Sequence, residues 1–576
     1  MSKEIQKNDL IEISVQSGLL QSLYYQEGWN LRDTDTDLIA IVADAVKTKK
    51  VQLFGERDEK FLKTLNGRAF FDLQIFLCDL IPHLEVSHLE LMRLVTALVA
   101  QGGDDGMANQ PNQAFRDWCS QDPRRSETVI EDAKRGNENA QNLICFALEA
   151  GSDAQTSIAM LSENYNAKIL IGASTALSRM KMAKETAHDA VTKLLILACE
   201  HIDEIVRNNA LVSVFSILAQ HTGLDREYGR KALESASNEP TAETLHAISS
   251  ILFRCGGSMT EEEVKIALNA LVAADPAHKG TLSQIDMATS GLIKAGRYDL
   301  VSNFIKNFIV RTQSRKGLEP FPRFLSETIG NNDRLGPLLV DWFVDGDDYL
   351  CSSLSEPLTH GRDSSLQLSL KGTDLPKDPS DQIDLCRRAA GYLFHNPVTA
   401  ASVIVSVLEH GDPSITDDLK DILFDPLLLC FGGELVEYLE GVCAKGAAQG
   451  TDALKEVLEQ KAEMLKALQG VECLRELHPS ESHRQLERVR WSRHMEVAVR
   501  EGMKKSVLLS LVTTQTLLYG MKSSSYISDP NGPLRKVDMS MGEHSVVREY
   551  PQLDIFDPEG LQLRLLELKL GRRNRK

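Results

Sequence analysis

Apolar side chains recur through the middle of this chain at intervals of three and four residues, the spacing that lines one face of an α-helix. In Val206-Arg207-Asn208-Asn209-Ala210-Leu211-Val212-Ser213-Val214-Phe215-Ser216-Ile217-Leu218 they fall at 206, 210, 214, 217 and 218. Ile169, Ala173, Ala176, Leu177 and Met180 keep the same spacing, as do Leu245, Ile248, Ile251 and Leu252. The stripe is wide and small residues lie between its members, as a helix needs when it packs on two neighbours. The pattern predicts helices over 167–180, 206–219, 242–254 and 282–295, whose starts lie 39, 36 and 40 residues apart. A fixed period of that length belongs to stacked helix pairs, because one pair cannot bury its own apolar face.

Punctuation between the runs follows the same period. Gly151, Gly256-Gly257 and Gly296 come after helical stretches, where a left-handed cap is expected. Ser152-x-x-Gln155 and Thr260-x-x-Glu263 read as capping boxes opening the next helix. The segment Val206-Arg207-x-x-Ala210-Leu211 resembles the core of a HEAT repeat, and residues 152–312 are similar to HEAT and armadillo-like helical repeats. That resemblance implies an all-α fold, a right-handed superhelical α-solenoid with one concave and one convex surface, and a general binding role.

Outside the repeat the chain reads as four further regions. Residues 1–120 form a helical N-terminal cap with helices expected over 10–25, 36–47, 59–81 and 83–100, and the Gly- and Asp-rich run 101–112 breaks it from the regular solenoid at 125–312. Residues 313–380 read as an irregular connector, interrupted by Ser314-Arg-Lys-Gly317, by Asp345-Gly-Asp-Asp348 and by the turn-rich run 371–380, an exposed loop or hinge. Helix pairs resume over 381–470, at 399–410, 417–431 and 452–468. The last region, 481–576, is a basic C-terminal module: a helix at 481–505, an uncharged apolar helix at 506–519 too short to span a bilayer, then short strands, one of them expected at 561–570 from alternating leucines.

Composition narrows the class. Hydrophobic residues make up 42% and aromatics 6%, the short-aliphatic balance of closely stacked helices. No apolar stretch reaches the length of a membrane span, and the first residues lack the apolar core of a secretory signal. The ten cysteines are scattered without a C-x-x-C pair, so they read as buried thiols of a reducing compartment, and a cytoplasmic location is expected. Residues 481–576 hold 17 Lys and Arg against 12 Asp and Glu, a net +5, while the whole chain carries −18. The acidic body repels a phosphate backbone unless basic groups gather on one face.

Four constellations bear on chemistry. Asp33-Thr-Asp35-Thr-Asp37 opens like a calcium loop, but Leu38 stands where that loop needs glycine, and acidic residues at a helix N-terminus explain the run. Glu85-x-x-His88 has di-iron spacing without the second E-x-x-H such a bundle requires. Neither supports a metal, and no cofactor is expected. Asp557 (or Asp554) with Glu567-Leu-Lys569 resembles the carboxylate and lysine set of metal-dependent nucleases of the restriction-enzyme type, in which an apolar strand presents E-x-K. Too few residues follow Lys569 for the rest of that core. Finally, Arg484, Arg488, Arg490, Trp491, Arg493, Lys504 and Lys505, with Arg572 and Arg573 in the tail, make a basic stretch suited to nucleic acid or to an acidic partner. Glu481, Glu487, Glu496 and Glu501 lie among these residues, as on an ordinary solvated helix. The P-loop, dinucleotide fingerprint and nucleophile elbow are all missing. The expectation is a non-catalytic cytoplasmic scaffold or adaptor that holds a protein partner on its solenoid surface, with no membrane role. A nucleic-acid-binding solenoid acting through 481–576 is the alternative.

Overall fold

The computed structural model describes residues 12–25, 36–103, 109–151, 154–360, 366–445, 450–469, 513–519, 522–528, 535–540 and 557–570, with 482, 485, 486, 488–490, 492, 493 and 497 between them. The chain divides into two compact units, one of residues 1–342 and 346–356, the other of 343–345 and 357–576. Helices dominate both.

The first unit opens with α1 (Leu19–Tyr25), α2 (Thr36–Lys47), α3 (Glu56–Leu62), α4 (Gly67–Leu80) and α5 (His88–Gly102). The single helix expected over 59–81 is two, because Asn66 is extended and Gly67 takes a left-handed φ of +53° between them. Buried Asp58 stitches this end together, accepting from the amides of Leu20 (2.8 Å) and Gly55 (3.0 Å). Desolvation holds its pKa above the usual aspartate value.

The repeat follows as α6 (Gln110–Ser120), α7 (Pro123–Lys134), α8 (Glu138–Gly151), α9 (Ala154–Leu161), α10 (Ala167–Arg179), α11 (Lys184–Glu200), α12 (Glu204–Gln220), α13 (Glu227–Ser237), α14 (Ala242–Cys255), α15 (Glu261–Leu271), α16 (Lys279–Lys294), α17 (Tyr298–Thr312) and α18 (Pro322–Ile329). One layer consists of α6, α8, α10, α12, α14, α16 and α18, each packed on the next, and α9, α11, α13, α15 and α17 form a second layer in the same manner. The helices α10, α12, α14 and α16 begin at 167, 204, 242 and 279, intervals of 37, 38 and 37 residues. This helical, repeat-like architecture is that of an α-solenoid.

Each helix of the first layer touches neighbours on several sides, which explains its composition. In α12 the buried set is Val206, Ala210, Leu211, Ser213, Val214, Phe215, Ile217 and Leu218, wider than a single stripe. Small residues set the spacing: a β-carbon on Gly172 of α10 would collide with Ile144 of α8, and one on Gly229 of α13 would stand 2.5 Å from the Glu263 carboxylate. Glu263 is buried, pairs with Arg226 (2.6 Å) and closes the expected capping box with Thr260, whose amide it accepts at 2.7 Å. The box expected at Ser152 lies outside the described residues. Of the glycines expected at caps, Gly296 takes the left-handed conformation (φ +81°), whereas Gly256 and Gly257 continue into a short 3₁₀ turn.

The region read as an irregular connector is largely helical. It contains α18, then α19 (Asn332–Asp345) and α20 (Asp348–His360). Its polar runs are the turns between these helices. Asp347, for example, accepts from the Leu350 amide at 3.0 Å and starts α20.

In the second unit α21 (Pro379–Tyr392), α22 (Pro397–His410), α23 (Thr416–Ile422), α24 (Gly432–Ala444) and α25 (Thr451–Gln469) again pack on their next-but-one neighbours, with a π-helical turn at Leu423–Leu428 after α23. Before them the turn-rich run 371–380 is mostly exposed, and the residues just ahead of it run along α22. Leu368 and Leu370 are buried there, their amides donating to Ser402 Oγ (2.9 Å) and Ser406 Oγ (3.1 Å), and Thr399 Oγ1 donates to the Leu366 carbonyl (2.6 Å).

Two expectations for the C-terminal region are overturned. The apolar helix at 506–519 is contradicted by β1 (Thr513–Tyr519), which pairs antiparallel with β2 (Lys522–Ser528), itself paired with β3 (Arg535–Ser540). Uncharged Thr-rich sequence carries no helical period, and its β-branched residues suit a strand. Conversely the strand expected at 561–570 is α26 (Pro558–Leu570). The slip at Leu565-Leu566 puts Leu561, Leu565 and Leu568 at helical spacing. Leu561 and Leu568 are buried, and α26 lies against α21 so closely that a β-carbon on Gly391 would stand 3.0 Å from the Lys569 nitrogen.

Truncating the buried Ile248 of α14 to alanine should lower the free energy of unfolding by about 2–5 kcal/mol. Urea denaturation measures it, and an unchanged midpoint would contradict burial of this helix between its neighbours.

Candidate partner-binding surface

A line of polar side chains joins successive helices of the first layer. Asn209 of α12 donates to Thr175 of α10 (3.1 Å), and the single hydroxyl proton of Thr244 of α14 faces both Asn208 Oδ1 and Glu204 Oε1, each 3.0 Å away. His246 meets Thr281 of α16 at 3.2 Å, Ser249 donates to Gln284 (2.7 Å), and Asp286 accepts from the Arg323 amide that opens α18 (3.0 Å). Each rung joins one helix to the next in the layer. An unpaired buried hydroxyl or amide is costly, so the rungs fix how far one helix slides along the next. Thr241 also donates to Glu204. These hydroxyl bonds, Thr241's first, hold the Glu204 carboxyl below its usual pKa.

Beside the rung formed by Asn208 and Thr244 lies a groove of about 760 Å³, bounded by the turns α11–α12 and α13–α14. Its walls carry Glu200, His201 and Glu239, and Arg207 is the basic residue among them. Arg207 is occupied, donating to the carbonyls of His201 (2.7 Å) and Ile202 (3.1 Å). The Asp203 amide donates to His201 Nδ1 (3.0 Å), and the Asp203 carboxylate caps α12 through the Ile205 amide (2.9 Å). The turn is therefore tied at four points. It holds Ile202 94% exposed at the lip of the groove, with Ile205 64% exposed just beyond. A tied turn presents an apolar side chain without the ordering cost that a loose loop incurs on binding. Arg207 is visible in the sequence as part of the HEAT-like segment, but its role in bracing the preceding turn is not.

The residues singled out in the sequence are placed differently. Arg488, Arg490 and Arg493 are helical and exposed, while Arg484, Trp491, Lys504, Lys505, Arg572 and Arg573 lie outside the described residues. Asp557, Glu567 and Lys569 do not form the nuclease arrangement. On a strand Glu567 and Lys569 share a face, but on α26 they point apart. Asp557 accepts from the Gly560 amide (2.9 Å), Glu567 pairs with Arg564 (3.7 Å), and the Lys569 ammonium lies 5.3 Å from the centre of the Tyr392 ring. His88 of the E-x-x-H pair meets Asp132 at 2.8 Å, and Asp33 and Asp35 lie outside the described residues. Among the described residues no group of three or more His, Cys, Asp or Glu is placed to hold a metal ion, and no helix is long and apolar enough to cross a membrane. All nine described cysteines are free.

No protein-family model, curated protein or solved structure matches this chain.

The hydroxyl bonds to Glu204 give a pH signature. Its carboxyl is depressed in the folded state, so its stabilising contribution is present above the usual glutamate pKa of 4.5 and is lost as pH falls through the folded value. Carboxyl-carbon NMR titration should place Glu204 below that value, and replacing both Thr241 and Thr244 by valine should return it toward 4.5. A titration unaffected by the double substitution would show that the rung does not set it.

Proposed function

We propose that this chain is a non-catalytic scaffold whose helix pairs stack as HEAT-like repeats in a right-handed superhelix, and that it holds a protein partner in the cytoplasm. The observation that carries this reading is the braced turn His201–Ile205. A fully exposed isoleucine costs solvation free energy, and here four hydrogen bonds keep it exposed. Exposed apolar groups beside a groove with polar walls are the usual anatomy of a recognition surface. With Arg207 engaged, Glu200 and Glu239 set the local charge, which suits a partner segment with an apolar side chain flanked by lysine or arginine. The acidic net charge of the chain favours the same class of partner.

The rival reading, nucleic-acid binding, draws on the net +5 of residues 481–576 and on the exposure of Arg488, Arg490 and Arg493. Two measurements separate them. A photo-crosslinking residue placed at 202 should capture a defined protein from host cells. Ile202→Asp combined with Ile205→Asp should weaken that protein's binding at least tenfold with an unchanged melting temperature. Binding to DNA or RNA at micromolar concentration, falling steeply between two salt concentrations and indifferent to the double substitution, would instead favour the rival.

A further inference from the structure

A second cavity, of about 660 Å³, opens at the opposite ends of the helices, where α6, α8 and α10 finish and α9 and α11 begin. Its charged lining is Arg116, Asp117, Glu149, Arg179 and Lys181. Glu149 organises it. Its side chain is only 8% exposed and lies 3.0 Å from Arg179 Nη1 and 3.8 Å from Arg116 Nη1. Arg116 is further paired with Asp117 at 3.0 Å. The nearby Cys145 thiol is buried and pushed up to about 12, so it stays neutral and offers no nucleophile.

Most of these charges answer one another. Asp117 answers Arg116, and Glu149 answers Arg179 through Nη1, so the Nη2 and Nε edge of that guanidinium has no described protein acceptor. Lys181 is exposed, lines the cavity and has no described ion pair. Behind it starts α11, of 17 residues, whose N-cap is Ala183 and whose first turn has no side-chain cap. Ala183 and Thr186 both line the cavity, so this uncapped turn borders it too. A buried carboxylate needs one cation for compensation. With each guanidinium answered by a carboxylate, the Lys181 ammonium is left over, in a chain that is otherwise strongly acidic.

We infer that this cavity binds a phosphate monoester, with Arg179 and Lys181 as its cationic contacts and the first turn of α11 as its amide contact. A phosphate monoester carries roughly −1.5 to −2 near pH 7 and three acceptor oxygens. That is enough to meet the Lys181 ammonium, the outer edge of Arg179 and the α11 amides together. Glu185 of that first turn is exposed and does not line the cavity. A carboxylate would leave part of that positive charge unanswered, and its two oxygens would use fewer of the donors. The volume falls in the range of small-ligand pockets, roughly 300–1,000 Å³, and Met180, Met182, Ala150 and Ala154 supply an apolar wall for the organic part. Glu149 acts through Arg179, holding its fork in place.

Calorimetric titration of the full chain tests the inference, with inorganic phosphate, O-phospho-L-serine, and a phosphoserine peptide beside its unphosphorylated form, all at one ionic strength. Saturable binding with one site per chain is expected for the phosphorylated probes. Lys181→Glu should weaken it at least tenfold, with the melting temperature in the absence of phosphate unchanged. Arg179→Gln should do the same, but it loosens Glu149, so the lysine variant decides if that protein unfolds. Equal affinity for inorganic phosphate and the peptide supports a small-molecule phosphate, and a clear preference for the phosphopeptide over its unphosphorylated form supports a phosphorylated side chain. No saturable binding, or binding retained in Lys181→Glu, overturns the site.

Discussion

The stacking of helices that are apolar on more than one side is the constraint from which the rest of this molecule follows. A helix such as α12, buried at Val206, Ala210, Val214 and Phe215 against several neighbours, has no stable position outside the layer. Close approach is therefore obligatory, and it is bought with small residues: Gly172 against Ile144, Gly229 against Glu263. Each contact reaches the next helix or the next but one. Stability in such an arrangement is a sum of neighbouring interfaces, so local damage is felt first by the adjoining repeats.

Polar groups at the same interfaces do a different job. Apolar contact is indifferent to small slides along a helix axis, whereas a hydrogen bond weakens steeply with displacement. The rungs from Thr175 to Arg323 therefore supply register where the leucines supply adhesion. At the turn after α11 the same division operates on a smaller scale. Arg207 and Asp203 hold the backbone, and the apolar side chain is left to face outward.

Much of the helical layer was legible from periodicity alone. The helices around residues 167, 206, 242 and 282 were visible because burial on wide faces selects aliphatic residues at a helical interval, and the Thr260 box was legible because each of its two side chains accepts from the other residue's backbone amide. What escaped has physical reasons too. The connector was misread since turns such as Asp345–Asp348 are more conspicuous in sequence than the helices they join. The 513–519 strand was misread because an uncharged apolar run lacks a period to distinguish strand from helix. In α26 the alternating leucines imitate a strand, and only the surface offered by α21 decides the matter. The candidate surfaces were scarcely legible: the hydrogen bonds that brace Ile202 involve backbone carbonyls, and the cavity at Glu149 gathers residues from five helices spread over some seventy positions of the chain.

The packing of α26 on α21 has a consequence for the order in which the chain becomes a protein. Throughout the repeat a helix meets its partners within the preceding few dozen residues, so each newly made helix emerges beside a surface already waiting for it. The α21 surface around Gly391 is different. Its covering helix is encoded more than 160 residues later, at Pro558–Leu570. During synthesis that surface stays open until residue 570 has left the ribosome, and the second unit closes there only as its last described helix arrives.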